Sequence, residues 1–234
     1  MLEKIRSIAQ AAAAADPAHD FSHSRRVLAN ALKISEQEGG DRDVLAAAAY
    51  LHDIANLPKN HPESRLSSER SAERAGQILA ELGFAPGKII LAQDAILCHS
   101  YSRGLVPTTL EGRIFQDADR LDALGAIGIA RTFAVGGATG RPMYATRDPF
   151  LKTGRLPDDR DNTLDHFAVK LFKLEEKMLT PTGRKMARER VERMRRFISD
   201  LENEVECQAT IKATDKAAPI TPPVTNDGRP GAQA

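Results

Sequence analysis

The sequence predicts an all-α protein, a compact bundle of seven to nine helices followed by a disordered C-terminal tail. Apolar residues recur at helical spacing along most of the chain, whereas alternating runs of β-branched and aromatic residues between tight turns are rare. Beyond residue 206 the chain is rich in proline, threonine, alanine and glycine and has little apolar bulk, which predicts disorder.

Helical segments are expected over residues 2–15, 21–37, 43–57, 64–82, 86–99, 109–135, 163–179 and 182–206. The Gly39–Gly40 pair is expected to end the second helix, because glycine readily adopts the left-handed conformation that often follows a helix. Asp41 can then cap the third helix, which is almost wholly apolar up to His52 and is therefore expected to be buried. The glycine-, proline- and charge-rich stretch 136–161 is expected to form a flexible loop or lid.

The chain is expected to form one domain over residues 1–206, with a tail over residues 207–234. Lys and Arg number 33 against 32 Asp and Glu, so the net charge of +1 gives no support for binding to nucleic-acid phosphates. No run approaches ~18 apolar residues, and the charged N-terminus lacks a signal-peptide pattern. With only two cysteines, the sequence predicts a cytoplasmic protein without a membrane or stable nucleic-acid partner, and leaves its oligomeric state open.

An adjacent histidine and aspartate, His52 and Asp53, stand at the end of the apolar third helix. A buried carboxylate needs hydrogen bonds, a cation or a metal to offset the loss of hydration, and for an isolated pair hydrogen bonding is the simpler reading. His23 on the preceding helix and Asp119 on a later apolar helix extend the set. Imidazole and carboxylate together suit a divalent ion if the helices bring them to one point.

The order His23, His52–Asp53, Asp119 resembles the signature of the HD superfamily of metal-dependent phosphohydrolases. The flanking segments SHSRRVLANALKI, AAYLHDI and IFQDADRLDALGAIGIARTF resemble a short bacterial subfamily, as do DPF at 148–150 and LDHFAVKLFKL at 164–174. The likeness extends over residues 1–205. Some members of that subfamily release pyrophosphate from nucleoside triphosphates.

The resemblance implies that His23, His52, Asp53 and Asp119 are metal ligands, Asp119 being favoured over Asp117 as the second aspartate of the DAD triplet. Two imidazoles and two carboxylates would leave a divalent ion formally neutral, with room for water and phosphate. Mn²⁺ is favoured over Mg²⁺, Co²⁺, Ni²⁺ or Fe. The expected activity is hydrolysis of a small phosphorylated substrate, a nucleotide with release of pyrophosphate, by metal-activated water.

Asp53, His99 and Asp122 are the candidate catalytic residues. Asp122 follows Asp119 by three positions, so it shares a helix face with it and could hold a water, orient a ligating histidine or pair with Arg120. His99 ends a helix beside two polar residues, and some HD enzymes use a histidine near this point as a ligand or as an acid/base group. The alternative is a histidine stabilised by the helix C-terminus.

Four residues are candidates for substrate binding: Arg26, Arg120, His166 and Lys170. Arg120 could bind phosphate or neutralise the neighbouring aspartates, and Arg26 could face the pocket or solvent. His166 and Lys170 are four residues apart and could share one phosphate. The alternative there is an amphipathic helix with its lysine outward and with Phe167, Leu171 and Leu174 inward.

Two other function classes are weighed against a nucleotide hydrolase. A phosphodiesterase or alarmone hydrolase of the same fold is disfavoured, because IANLPKN after His52–Asp53 lacks the acidic pair of alarmone hydrolases and no GYP-type segment occurs. A non-enzymatic metal or nucleotide sensor remains open, although an intact ligand set argues against it. Asp20 is expected to cap the second helix, and His61 to lie in a loop near the site.

Overall fold

The computed structural model describes residues 1–12, 21–55 and 63–215. These residues form nine α-helices and short 3₁₀ turns, and no strand, so the predicted all-α class is confirmed. The α-helices are α1 Leu2–Ala12, α2 Phe21–Glu38, α3 Arg42–Leu51, α4 Ser67–Glu81, α5 Pro86–Cys98, α6 Leu110–Asp122, α7 Gly125–Ala138, α8 Asp165–Val169 and α9 Pro181–Asp215. The predictions for Asp20, His61 and tail residues 216–234 lie outside the described residues.

The chain divides into two units, Met1–Arg196 and Phe197–Ala234. The first holds α1 to α8, the beginning of α9 and every candidate site residue. In the second, the described part is the continuation of α9 to Asp215, nine residues beyond the predicted end of the domain at 206. The domain boundary at 206 stays a prediction.

Helix α3 lies at the centre of the first unit and packs against α1, α2, α5 and α6. Its AAAA run, residues 46–49, is buried, as are Val44, Leu45 and Leu51. Small side chains allow neighbouring helices to approach closely, and a helix apolar on all sides is stable only when it is enclosed. The predicted burial of this helix is therefore confirmed.

The start of α3 is held as the sequence predicts. Gly39 and Gly40 adopt φ values of 85° and 94°, which end α2, and the Asp41 side chain accepts hydrogen bonds from the backbone N–H groups of Asp43 and Val44. Lys88 at the start of α5 pairs with both aspartates, at 2.9 Å from Asp41 and 2.8 Å from Asp43. The first turns of α3 and α5 are thus joined.

The single helix predicted over residues 109–135 is wrong, because the chain breaks between α6 and α7 with a bend of 62°. Leu124 is extended and Gly125 adopts φ +72°, while a Cβ on Gly128 would collide with the carbonyl oxygen of Ala123. Within the described residues no single helix is long and apolar enough to cross a membrane, and only α6 and α7 taken as a bent pair satisfy that test of length and composition.

The segment predicted as a flexible loop over residues 136–161 is largely tied in place. Gly136 and Gly137 belong to α7, and Gly136 packs against Thr163 so closely that a Cβ would clash with the threonine side chain. The Arg155 guanidinium makes two hydrogen bonds to Asp165, at 2.6 and 2.7 Å, and the backbone N–H of Asp158 donates to the same carboxylate. Gly136 and Gly137 therefore belong to a helix and not to the expected loop, and the later part of the segment is hydrogen-bonded to the start of α8.

The helix predicted over residues 163–179 is much shorter. Helix α8 ends at Val169, Lys170 takes a non-helical φ of −129°, and two 3₁₀ turns continue to Lys177. Phe167, Leu171 and Leu174 are nonetheless buried, as the amphipathic interpretation of this segment predicts. The break matters for His166 and Lys170, because a common helix face was the basis for pairing them on one phosphate.

Asp117, the first aspartate of the DAD triplet, supports the beginning of α9. Its buried carboxylate accepts hydrogen bonds from the backbone N–H groups of Leu179 and Thr180 and from the Thr180 hydroxyl, at 2.7 to 3.1 Å. Gly183 lies so close to this carboxylate that a Cβ there would clash with it. Asp117 therefore has a structural environment distinct from that of Asp119.

We expect Asp117→Ala to lower the free energy of unfolding by about 2–4 kcal/mol, because it leaves three buried donors at the start of α9 without their acceptor. Denaturant unfolding followed by circular dichroism measures the loss. Asp161→Ala, at an exposed position, is the matched control and should change stability by less than about 0.5 kcal/mol. Equal stability of the two variants would contradict this role for Asp117.

Candidate active site

Four helix ends bring the candidate metal ligands together at one end of the bundle. His23 lies in the first turn of α2, His52 caps the C-terminus of α3 with Asp53 just beyond it, and Asp119 lies in the last turn of α6. His99 caps the C-terminus of α5. Since Asp53 follows the end of α3, its carboxylate can turn toward the His52 ring, which adjacent positions within a helix would separate by ~100°.

Short distances connect the four residues. His23 Nε2 lies 3.2 Å from His52 Nε2 and 3.4 Å from Asp119 Oδ1, and His52 Nε2 lies 3.2 Å from Asp53 Oδ2. Both histidines are buried, while Asp53 and Asp119 each expose 23% of their side chains. The cluster is therefore enclosed by the bundle on its histidine side and open on its carboxylate side.

In His23 and His52, the hydrogen bond made by Nδ1 determines whether Nε2 is a donor or an acceptor. His52 Nδ1 is 2.9 Å from the carbonyl oxygen of Ala49, and His23 Nδ1 is 2.7 Å from Asp122 Oδ2, so each Nδ1 must carry the proton and donate it. In the neutral rings both Nε2 atoms then present lone pairs to each other and to two carboxylates. Four converging acceptors repel one another unless a cation lies among them, so this donor set fits a divalent metal ion.

The close approach of histidines and carboxylates also shifts their pKa values. Burial disfavours the His23 imidazolium, but Asp119 and Asp122 outweigh it and raise the His23 pKa to about 9. Burial of His52 is likewise outweighed by Asp53, and its pKa is raised. Although burial acts the other way on Asp119, the hydrogen bond with His23 holds the pKa of that carboxyl well below its usual range. The carboxylates stay ionised and attract positive charge, either protons or a metal ion.

His99 adds a fifth candidate ligand. Ligand atoms of His52, Asp53 and His99 lie within 4.8 Å of one another, and those of His23, His52 and Asp119 do so as well. Burial and the neighbouring His52 lower the pKa of His99, and its Nδ1 hydrogen-bonds to the Ile96 carbonyl, which leaves Nε2 as an acceptor. The ring of Phe115 packs edge-on against both His52 and His99.

Asp122 lies behind His23 and gathers three cationic or donor groups. Besides His23, it binds Arg26 through its Oδ1 at 2.7 Å and Arg131 of α7 through its Oδ2 at 2.6 Å. Burial is outweighed by the hydrogen bonds from His23 and Arg26, which hold the Asp122 pKa at about 2. Of the roles expected for Asp122, the geometry matches the orientation of a histidine, whereas pairing with Arg120 is wrong.

The substrate candidates have different surroundings. A cavity of about 300 Å³ opens over the cluster and is lined by Arg120, Arg131 and Lys170 as well as by the candidate ligands. Arg120 Nη1 donates to the Lys177 carbonyl, while its buried Nε has no hydrogen-bond partner among the described residues. Lys170 lies over the Tyr101 ring, with its Nζ 4.8 Å from the ring centre. Arg26, expected at the pocket or in solvent, is held against Asp122.

A second cavity of about 320 Å³ adjoins the first and shares Ala123, Arg131 and Lys170 with it. His166 lines this second cavity, and its Nδ1 lies 2.7 Å from Asp159 Oδ2. Lys170 also lines this second cavity, so the sharing of one phosphate by His166 and Lys170 stays a prediction. The sequence reasoning missed Arg131 and Asp159, although the LGAIG stretch before Arg131 could have indicated a helix break.

Similarity to known proteins agrees with this geometry. The HD domain family model matches residues 20–124. The protein YpgQ of Bacillus subtilis (strain 168) is 32% identical over 201 residues, which cover 80% of this chain and 84% of YpgQ. The chain belongs to the HD-domain family. The HD match contains all the candidate metal ligands and Asp122, but ends before Arg131.

Solved structures of HD proteins share the fold. A crystal structure of an HD-superfamily hydrolase from Bacillus thuringiensis has a TM-score of 0.69 and 37% identity, covering 88% of this chain and 96% of its own. A structure of Bacillus subtilis YpgQ in complex with ADP has a TM-score of 0.67 and 32% identity, covering 88% of this chain and 98% of YpgQ. The likeness to HD proteins therefore extends well beyond the matched residues 20–124.

Proposed function

We propose that this HD-family hydrolase cleaves nucleoside triphosphates, using a divalent metal ion, Mn²⁺ in preference to Mg²⁺, Co²⁺, Ni²⁺ or Fe. The observation that carries the proposal is the convergence of His23, His52, Asp53 and Asp119 in a cavity that cationic groups also line. Binding of ADP by YpgQ supports a nucleotide as the ligand. A divalent ion held by these four residues supplies Lewis acidity toward a phosphoryl oxygen and a water molecule.

The cationic side of the cavity is suited to phosphate. The unpartnered Nε of Arg120 can donate to a phosphate oxygen, while its Nη1 stays anchored on the Lys177 carbonyl. Arg131 and Lys170 add positive charge where the two cavities meet. Guanidinium and ammonium groups held in a partly buried pocket stabilise the charge that develops on a phosphoryl group during transfer.

In the proposed reaction, water attacks the α-phosphorus and the bond from that phosphorus to the bridging oxygen breaks, giving a nucleoside monophosphate and pyrophosphate. His99 is placed to accept the proton of the attacking water, because it is neutral and its Nε2 is an acceptor. Asp53, partly exposed at the mouth of the cluster, is the carboxylate available to hold the same water. Asp122 acts through His23, by keeping its Nδ1 protonated.

A metal-by-nucleotide panel tests this function. The metal-stripped protein is combined with each of the five metals and with ribo- and deoxyribonucleoside triphosphates, and the products are separated by anion-exchange chromatography. We expect monophosphate and pyrophosphate in equal amounts, with Mn²⁺ giving the highest rate and chelator abolishing it. Release of orthophosphate and diphosphate would move the cleavage to the terminal phosphate. The absence of hydrolysis with every metal would contradict the proposed function and favour a sensor.

A further inference from the structure

The second cavity is a separate compartment with a wall of its own. It lies between α7 and the segment from Thr139 to Leu171, and meets the metal-side cavity at Ala123, Arg131 and Lys170. At about 320 Å³ it is within the range of small-ligand pockets. Any ligand that extends away from the candidate metal ligands past Arg131 enters this compartment.

The wall of the compartment is held from outside. The Arg155–Asp165 ion pair joins two parts of this segment, and the backbone N–H groups of Thr163 and Leu164 donate to the carbonyls of Pro142 and Met143 at 3.0 and 2.9 Å. None of these three pairs needs a ligand to form. The compartment is therefore shaped before a ligand arrives, which reduces the entropic cost of binding.

The polar side chains that line this wall already make hydrogen bonds within the segment. These bonds occupy donor groups and leave acceptor atoms for a ligand. Arg141 is engaged through its Nε with the Thr139 hydroxyl and through Nη1 with the Asp159 carbonyl. The Asp159 carboxylate accepts from His166 Nδ1, 2.7 Å away. The Asp159 carboxylate and the Arg141 guanidinium offset each other at this wall, whereas Arg131 and Lys170 concentrate positive charge at the junction, where a phosphate is attracted.

His166 is one of the side chains that present an acceptor to the compartment. Burial lowers its pKa, Lys170 and Arg141 act in the same direction, and together they outweigh Asp159, so the ring is neutral near pH 7. Because Nδ1 donates its proton to Asp159, Nε2 carries a lone pair. A lone pair on a pocket wall selects a ligand group that donates, such as a hydroxyl.

We propose that this second cavity is the nucleoside compartment of the enzyme, in which a sugar hydroxyl donates a hydrogen bond to His166 Nε2. The inference rests on the proposed nucleotide function and assigns the two parts of the substrate to different cavities. The phosphates lie between the candidate metal ligands and the Arg131–Lys170 junction, and the uncharged, hydroxyl-bearing part lies beyond it. Val135 and Leu171 supply apolar surface in the same compartment.

The test measures equilibrium binding of three probes by isothermal titration calorimetry, with the metal-loaded protein: ADP, 2′,3′-dideoxy-ADP and inorganic pyrophosphate. We expect His166→Phe to weaken ADP binding by about 3–10-fold, the effect of one hydrogen bond, and to leave pyrophosphate binding unchanged. Dideoxy-ADP should bind the wild-type protein as weakly as ADP binds His166→Phe. Dideoxy-ADP should bind His166→Phe no more weakly than ADP does, because removing the hydroxyls and removing the imidazole abolish the same hydrogen bond.

Two further variants separate loss of the acceptor from a general effect of substitution in this segment. His166→Gln keeps an acceptor and should recover most of the ADP affinity, and Arg160→Ala, exposed in the same segment, should bind all three probes as the wild type does. Equal loss of ADP and pyrophosphate in His166→Phe, or equal binding of ADP and dideoxy-ADP by the wild type, overturns the nucleoside compartment. Those results leave nucleotide hydrolysis intact, whereas failure of every nucleotide to be hydrolysed removes the proposed function itself.

Discussion

Asp53→Ala is expected to reduce the rate of nucleotide hydrolysis by more than about 100-fold. Removing a residue that only hydrogen-bonds to a metal ligand typically costs ~10–100-fold, and Asp53 is itself a candidate ligand. Its carboxylate lies 3.2 Å from His52 Nε2 and is one of two carboxylates in the cluster. Without it, one anionic donor is lost from the candidate ligand set. Steady-state release of pyrophosphate, measured at saturating Mn²⁺, gives the loss.

The fold of Asp53→Ala should be preserved, because Asp53 lies beyond the C-cap residue of α3 and exposes part of its side chain. Far-ultraviolet circular dichroism should therefore match that of the wild type. Asp200→Ala, on the exposed face of α9, is the control for loss of one carboxylate and should retain full activity. Hydrolysis by Asp53→Ala at the wild-type rate, with intact helicity, would contradict the assignment of the metal cluster.

Asp122→Ala is expected to weaken Mn²⁺ binding by about 10–100-fold and to lower stability by about 2–3 kcal/mol. The buried carboxylate holds the Nδ1 proton of His23, so its loss frees the ring to turn or to move the proton to Nε2. The same change leaves Arg26 and Arg131 without their shared carboxylate. Metal titration by calorimetry and denaturant unfolding measure the two effects.

Asp122→Asn separates positioning of His23 from simple support of the fold. The amide oxygen can still accept the His23 proton, so we expect metal affinity to return to within about 5-fold of the wild type. Stability should recover less, because a neutral amide cannot neutralise two guanidinium groups. If metal affinity and stability fall in the same proportion in both variants, Asp122 supports only the fold.

Much of the site could be anticipated from local sequence. The cap at Asp41, the glycine stop after α2 and the buried alanine run of α3 depend on neighbouring residues, and such patterns can be read directly. The set His23, His52, Asp53 and Asp119 came from its resemblance to a known signature. The structure adds the distances among these residues and the hydrogen-bond partners from which the protonated nitrogen of each histidine is inferred.

The remainder depends on contacts between distant parts of the chain. Asp117 and Asp119 look alike in the triplet, and only the approach of residues 179–183 gives Asp117 its structural role. The partnership of His166 with Asp159 depends on a wall that the sequence presented as a loop. Arg131 reaches Asp122 only because the chain bends after α6, a change of direction that helical periodicity conceals.

That bend also determines where this enzyme could change its substrate. Gly125 has a positive φ and Gly128 has no room for a Cβ, so substitution at either position disturbs the turn between α6 and α7. That turn positions Asp119 on one helix and Arg131 on the next. The wall beyond Thr139 is held by the ion pair of Arg155 and Asp165, neither of which lines the second cavity. Under the proposed function, a change of nucleotide preference therefore has a route that leaves the candidate metal ligands untouched.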